Sequence, residues 1–316
     1  MTAMRLLKNK LNKILEFIED KNDVIFIDFP LYHNIGDLLI LSGTVQFFKN
    51  NNINIKSHLS VHNTNVSCVK SSVTKSTTII CQGGGNFGDI YDIHQILREN
   101  IIKAFPNNRV IILPQTAFFS ESKNKEKSKN IFRSHNNVIM FARDKPTYDV
   151  FKEFSDHTYL MPDMAHELYD TLPKSVKEKP ILYFLRNDIE VNPTQLQLQK
   201  KIKEDDYFDW SDWLTKNDHR VLRRVYKLTR LNKKLRLNLL DKVIFKIWSS
   251  HSEALVHRMS KKFSSYDGVV TSRLHGHILS CLVDVPSSVV DNSYGKNIAY
   301  YELWTKDLEI ASIWNG

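Results

Sequence analysis

Apolar and polar positions follow two distinct periods along the 316-residue chain. Short, unbroken apolar runs recur as "DVIFIDF" (23–29), "STTIICQ" (76–82), "RVIILPQ" (109–115) and "NVIMFAR" (137–143). Runs of this kind mark strands covered on both faces. Between them lie stretches with helical spacing, one from about Asp37 to Lys49 and one through "IHQILRENIIKAF". Strand and helix in alternation predict a parallel α/β sheet with helices on both sides. The polar, proline-bearing "MPDMAHELYDTLPKSVKEKP" predicts a boundary, with one domain over 1–172 and a second over 173–316. "ILYFLR" (181–186) opens the second half, a helical region fills 195–265, and the strands "DGVVTS" and "SSVVD" close it. The stretch "YYELWTKDLEIASIW" predicts a helix returning to the first domain. The expected architecture is two Rossmann-like α/β domains with a central cleft.

The opening "MTAMRLLKNKLNKILEFIED" sets Lys among apolar residues at helical spacing. It lacks the apolar core of a secretory signal and predicts an amphipathic helix. No run of 18 apolar residues suggests a membrane span. Cys68, Cys81 and Cys281 are too scattered for a disulfide framework or a zinc site, and the expected location is cytoplasmic. Charge changes the picture more. The net charge is +9, and residues 216–246 alone hold eleven Lys or Arg against Asp218 and Asp241. Such concentration predicts one local anionic partner rather than a basic coat for nucleic acid. No aromatic side chains interleave there for base stacking, so a polyanion-binding module ranks below an enzyme. Val221, Val225, Leu228, Leu235, Leu239 and Val243 form one helical face, with Arg220, Arg223, Arg224, Lys227, Arg230 and Lys234 largely off it. That pattern predicts peripheral docking on an anionic membrane through 216–246. The competing reading is that the apolar face packs on the second domain.

The polar clusters fall at the ends of the predicted strands, where open parallel sheets bind ligands. N-x-G-D occurs twice, as Asn34, Gly36 and Asp37, and as Asn86, Gly88 and Asp89 behind the triple glycine Gly83, Gly84 and Gly85. Glycine permits close backbone approach, and a following helix start offers free N–H groups to an anion. The competing reading makes both Asp residues helix caps. Gln115, Arg143, Asp163 with His166, and Arg186 with Asp188 and Glu190 end further strands. In "SRLHG", Thr271 or Ser272 is expected to cap a helix that begins near Arg273. Arg273 offers a fork for carboxylate or phosphate, and His275 adds a proton-transfer group in the first turn. His277 is expected to be structural. Two His two positions apart on a helix do not face one point, so no metal is expected.

With these motifs in order, the chain resembles the polysaccharide pyruvyltransferases. The resemblance runs through Asn34 to Asp37, Gly83 to Asp89, Arg143, Asp163-Met164-Ala165, Ser272 to Gly276, and Lys296, roughly over residues 24–300. It implies a fold like the two-domain GT-B glycosyltransferases. It also implies transfer of the enolpyruvyl group of phosphoenolpyruvate to two hydroxyls of a sugar in a surface-polysaccharide precursor, giving a cyclic pyruvate ketal. Phosphoenolpyruvate is then the donor co-substrate and no cofactor is needed. The implied catalytic set is His275 as acid, Arg273 as anion fork, and Asp37 or Asp89 as base or hydroxyl guide. Asn34, Gly36, Gly83, Gly84, Gly85, Asn86, Gln115, Arg143, Asp163, Arg186, Ser272, Leu274 and Lys296 are implied in substrate binding. A glycosyltransferase using a nucleotide sugar is the alternative, because the same cleft would serve it.

Overall fold

The computed structural model describes residues 2–63, 66–70, 72–202, 207–235 and 240–315, without the side chains of Ser67, Cys68 and Leu235. Arg236 and Leu239 of the basic segment lie outside the described residues. The first sheet contains β1 (Val24–Ile27), β2 (Ile55–Leu59), β3 (Thr78–Cys81), β4 (Gly84–Gly88), β5 (Val110–Phe118), β6 (Val138–Ala142) and β7 (His157–Leu160). Its order is β2-β1-β3-β5-β6-β7, with β4 paired to β5, and every pairing is parallel. Between these strands run α1 (Ala3–Lys10), α2 (Ile35–Asn50), α3 (Val66–Lys70), α4 (Asp92–Ala104), α5 (Ser122–Arg133) and α6 (Lys145–Phe154), with α1 leading into the sheet. The apolar runs form strands because both faces are covered: every residue of β1, β3 and β6 is buried. Met4, Leu7, Leu11 and Ile14 are also buried, as the amphipathic start requires.

One expectation fails here. "GGGNFGD" is not a strand-to-helix turn, because Gly84–Gly88 forms a strand. Its partner β5 carries Pro114, which cannot donate to a ladder, and the β5–β6 register shifts between Ile112 and Gln115. Beyond that irregularity β5 pairs with β4, which no hydrophobic period announces. Only glycine fits so close: a Cβ at Gly83 would lie 2.6 Å from the Pro114 carbonyl.

The second sheet, β12-β11-β10-β8-β9, is also wholly parallel. It contains β8 (Lys179–Phe184), β9 (Tyr207–Phe208), β10 (Tyr266–Thr271), β11 (Ser287–Val289) and β12 (Ala311–Ile313). Its helices are α7 (Pro193–Gln199), α8 (Lys216–Leu235), α9 (Asp241–Ser264), α10 (Leu274–Leu282) and α11 (Lys296–Tyr300). One core joins the two sheets, running from Phe26 and Phe48 through Phe245 and Trp248 to Phe184 and Val269.

Helices α8 and α9 correct the expected membrane face. Val225 is fully buried, and Val221 and Leu228 pack against the core. These three stripe residues thus face protein, as in most amphipathic helices of folded domains, whereas Val243 of the same stripe is exposed. The pair also grips the chain after β1. The Tyr226 hydroxyl donates to the Leu31 carbonyl (2.7 Å), and Trp248 Nε1 donates to the Pro30 carbonyl (2.6 Å). At the C-terminal end, α11 does reach the first sheet. The Tyr300 hydroxyl meets His166 Nε2 at 2.8 Å, and Trp304 Nε1 donates to the Arg143 carbonyl. The residues after it continue as a π-helix over Tyr301–Thr305, so the expected helix forms in part, and the chain then turns back into β12.

Candidate active site

The carboxyl ends of strands from both sheets surround a cavity of about 380 Å³. A larger cavity of about 690 Å³ lies between α2, β2 and α9. Charged groups and strand ends converge on the smaller one, so it is the candidate site. Asn34, Asp37, Gly85, Asn86, Arg143, Arg186, Arg273, Leu274, His275 and Lys296 line it, all of them marked by the sequence. Gly36, Gly83, Gly84, Gln115, Asp163 and Ser272 do not line it. Asp89 lies elsewhere.

His275 occupies the first turn of α10, between two carboxylates. Its Nε2 lies 3.4 Å from Asp163 Oδ2, and its ring rests on Gly36. A Cβ at Gly36 would come within 2.7 Å of Nδ1, so glycine is what lets α2 approach this closely. Asn34 caps α2 by accepting from Gly36 N at 3.1 Å. Asp37 follows in the same turn. Burial pushes its carboxyl above the ordinary value, against the opposing pull of His275, the Tyr32 hydroxyl and Arg143.

Asp163 is a support, not a ligand-facing group. It is fully buried, bonds Arg143 Nη1 at 2.5 Å and accepts from Ala165 N. Burial alone would raise its pKa, but His275, Arg143 and the Ala165 amide hold it well below the carboxylate range. Arg143 Nε donates to Thr116 Oγ1 at 3.0 Å. Its Nη2 has no hydrogen-bond partner among the described residues and lies beside Gly85, where a Cβ would stand 3.2 Å away. That guanidinium edge faces the cavity.

Arg273 is not a free fork. It donates through Nε to Asp209 Oδ1 (2.8 Å), through Nη2 to Asp209 Oδ2, and through Nη1 to Asp188 Oδ2 (2.6 Å). Asp209 is buried and Asp188 is 38% exposed, so Asp209 aims the group while Asp188 is the replaceable partner. Arg273 itself is the residue before α10, so neither Thr271 nor Ser272 caps that helix. Ser272 Oγ instead accepts from Arg186 N at 2.9 Å, tying β10 to β8. Lys296 Nζ pairs with Glu190 at 2.6 Å, and burial brings its pKa down to about 8. Arg186 Nη1 lies 2.6 Å from the same carboxylate, an ion pair off the line of a hydrogen bond.

Two further assignments change. Asp89 accepts from Ser120 N, Glu121 N and Asn124 Nδ2, so it caps the start of α5, far along the chain from its own turn. Gln115 is buried and donates to the Gln82 carbonyl, which fixes the glycine strand. His277 is buried between the hydroxyls of Ser287 and Thr305. Among the described residues no three His, Cys, Asp or Glu side chains are placed to share a metal ion. The sequence missed four lining residues, Tyr32, Tyr91, His94 and Trp210. Asp188 and Glu190 also line the cavity; the sequence marked both as polar strand-end residues but gave them no role. His94 sits within a helix and meets its partner Asp28 66 residues away, which no local pattern shows.

A model of the family described as polysaccharide pyruvyl transferase matches residues 34–294, the span that holds nearly all of this site. The chain belongs to the polysaccharide pyruvyl transferase family. It is accordingly a transferase, and the family's activity is pyruvyl transfer to polysaccharide. The chain is 37% identical over 304 residues to "Putative pyruvyl transferase EpsO" of Bacillus subtilis, covering 96% of this chain and 91% of that one. It is 29% identical over 231 residues to "Pyruvyl transferase 1" of Schizosaccharomyces pombe, covering 70% of this chain and 53% of the other. A crystal structure of a functionally uncharacterised Klebsiella pneumoniae protein superposes with a TM-score of 0.63 at 19% identity, covering both chains fully. That likeness concerns the fold. Among the described residues of this family member, no helix is long and apolar enough to cross a membrane.

Proposed function

We propose that the protein transfers the enolpyruvyl group of phosphoenolpyruvate to two hydroxyls of one sugar in a surface-polysaccharide precursor, closing a pyruvate ketal. The observation that carries this reading is the convergence of Arg143 Nη2, Arg273, Lys296 and the first N–H groups of α10 around His275. A donor with a carboxylate and a phosphate needs such a set. His275, 3.4 Å from Asp163 and beside Gly36 of the Asn34–Asp37 turn, protonates C3 of the donor, and C2 becomes oxocarbenium-like. One sugar oxygen attacks C2. The second attacks as the C2–O bond to phosphate breaks, and phosphate leaves with the electron pair. A positioned acid contributes about 10²–10⁴-fold. The two parallel sheets around the cavity follow the GT-B plan in this proposal.

The same reading includes an acceptor at a membrane face. Arg223, Arg224, Lys227, Arg230, Lys233 and Lys234 of α8 are all exposed, and Leu231, Val243 and Ile247 stand exposed among them. An anionic lipid surface fits that mixture.

Phosphoenolpyruvate is expected to raise the melting temperature, and mass spectrometry of acceptor glycans incubated with it is expected to find the ketal adduct. Stabilisation by UDP- or GDP-sugars but not by phosphoenolpyruvate would overturn the reading in favour of glycosyl transfer.

A further inference from the structure

The ketal reaction must also remove protons from two sugar hydroxyls, and the cavity holds a second histidine for that. We propose that His94 is the general base that deprotonates the attacking hydroxyl. The inference rests on the pyruvyl-transfer reading and names the base it lacks. His94 stands on the third residue of α4 and lines the same cavity as His275. Its Nδ1 lies 2.6 Å from Asp28 Oδ1. A carboxylate only accepts, so Nδ1 carries the proton and Nε2 is the nitrogen left to take one as a base. Nε2 has no hydrogen-bond partner among the described residues.

Asp28 is itself fixed. It follows β1 at φ 70°, is buried, and receives Arg98 Nη2 at 2.9 Å on its other oxygen. A non-glycine residue in that region costs stability and persists where the surroundings hold it. Here they hold a carboxylate at the back of an imidazole. The groups that face His94 are Asp28, Arg98 behind it, the Tyr32 ring (6.0 Å between centroids), Asp37 and His62. Three carboxylates also line the cavity: Asp188 and Glu190 are paired with Arg186, Arg273 and Lys296, and Asp37 is engaged by Tyr32 and neighbours His275. A base there would exchange its proton with the acid rather than serve the far oxygen. His94 has its own carboxylate in Asp28 and lines the cavity with Tyr91, an exposed aromatic suited to stacking on a sugar.

The proton count closes. His275 gives one proton to C3. The first hydroxyl forms the C2–O bond and gives its proton to His94 Nε2. The second hydroxyl forms the other C2–O bond and returns a proton to His275, while the proton on His94 leaves with phosphate or to solvent.

The test compares His94→Gln and His94→Ala with wild type, using phosphoenolpyruvate and an acceptor glycan that wild type converts. His94→Gln is expected to lose about 10²–10⁴-fold in kcat. The thermal shift caused by phosphoenolpyruvate should remain, because the donor's anionic groups are assigned to Arg143, Arg273 and Lys296. Added imidazole should restore part of the His94→Ala rate, in proportion to its neutral fraction. Turnover of His94→Gln within threefold of wild type overturns the assignment. So does a loss that imidazole fails to rescue and that accompanies a fall in melting temperature, since His94 then only supports the fold. Absence of ketal from wild type itself defeats the pyruvyl-transfer reading instead, before any variant is compared.

Discussion

At the scale of single residues, the site divides into groups that reach the cavity and groups that aim them. His275→Ala is expected to abolish turnover while the protein still melts cooperatively near the wild-type temperature; near-normal turnover would remove His275 from the acid role. Arg273→Lys should also lose most activity, because a lysine cannot keep the two-sided grip on Asp209 while facing the ligand. Asp163→Ala belongs to a different class. It leaves Arg143 buried without its partner, so a stability loss of about 3–5 kcal/mol is expected along with lost activity, measurable by urea unfolding. Lys296 sets a basic limit. Its folded pKa of about 8 lies below the ordinary lysine value, so it loses charge as pH rises through about 8. Donor affinity should weaken over that interval and should not in Lys296→Arg. What the sequence revealed at this scale follows from locality. Arg273, Leu274 and His275 are adjacent, and their motif was legible. Asp163 was visible as a strand-end acid, but only its contacts with Arg143 and His275 show that it points away from ligand. His94 was invisible because its meaning depends on Asp28 across the first sheet.

At the scale of elements, strands with ordinary apolar runs were legible and the glycine strand was not. β1, β3, β5 and β6 follow directly from unbroken Val, Ile and Phe runs. β4 has one buried large side chain, Phe87, and owes its place to glycine contacts with β5. Gly85→Val tests it. A branched side chain there would press on Arg143 Nη2, so donor binding should fall while secondary structure by circular dichroism stays unchanged; wild-type kinetics would reduce the strand to a connector. The basic helices and their apolar stripe were found at the right place, with lipid and protein both open as its cover. Periodicity locates an apolar stripe but says nothing of whether protein or lipid covers it. For Val221, Val225 and Leu228 it is protein: α9 packs alongside α8, and Tyr226 reaches the chain after β1. Loss of the Tyr226 hydroxyl bond to Leu31 in Tyr226→Phe should cost about 0.5–1.5 kcal/mol. A drop in kcat beyond that small change would show that α8 positions Tyr32 and Asn34.

At the scale of the whole molecule, the charge of α8 is left without a function by the cavity. The alternation of strand and helix made the two parallel sheets legible, while the single core that unites them depends on α9 packing against α2, which only the folded chain reveals. With Val221, Val225 and Leu228 turned to protein, lipid docking rests on the exposed Val243 of that stripe and on residues outside it. Leu231 shares a helical stripe with Arg224, Lys227 and Lys234, while Val243 and Ile247 lie one turn apart on α9 beside Lys242 and Lys246. Each cation near an anionic leaflet contributes about 1 kcal/mol, and the three apolar side chains add burial on insertion. The protein should therefore pellet with anionic vesicles at low salt, release as salt shortens the screening length, and ignore neutral vesicles. Reversing Arg223, Arg224 and Lys227 to Glu should abolish pelleting, and Leu231→Ser with Ile247→Ser should weaken it severalfold. Ketal formation on a soluble acceptor should survive both changes, because none of these residues lines the catalytic cavity. Pelleting that persists after charge reversal would mean that α8 is a solvated outer face and that the acceptor reaches the cleft from solution.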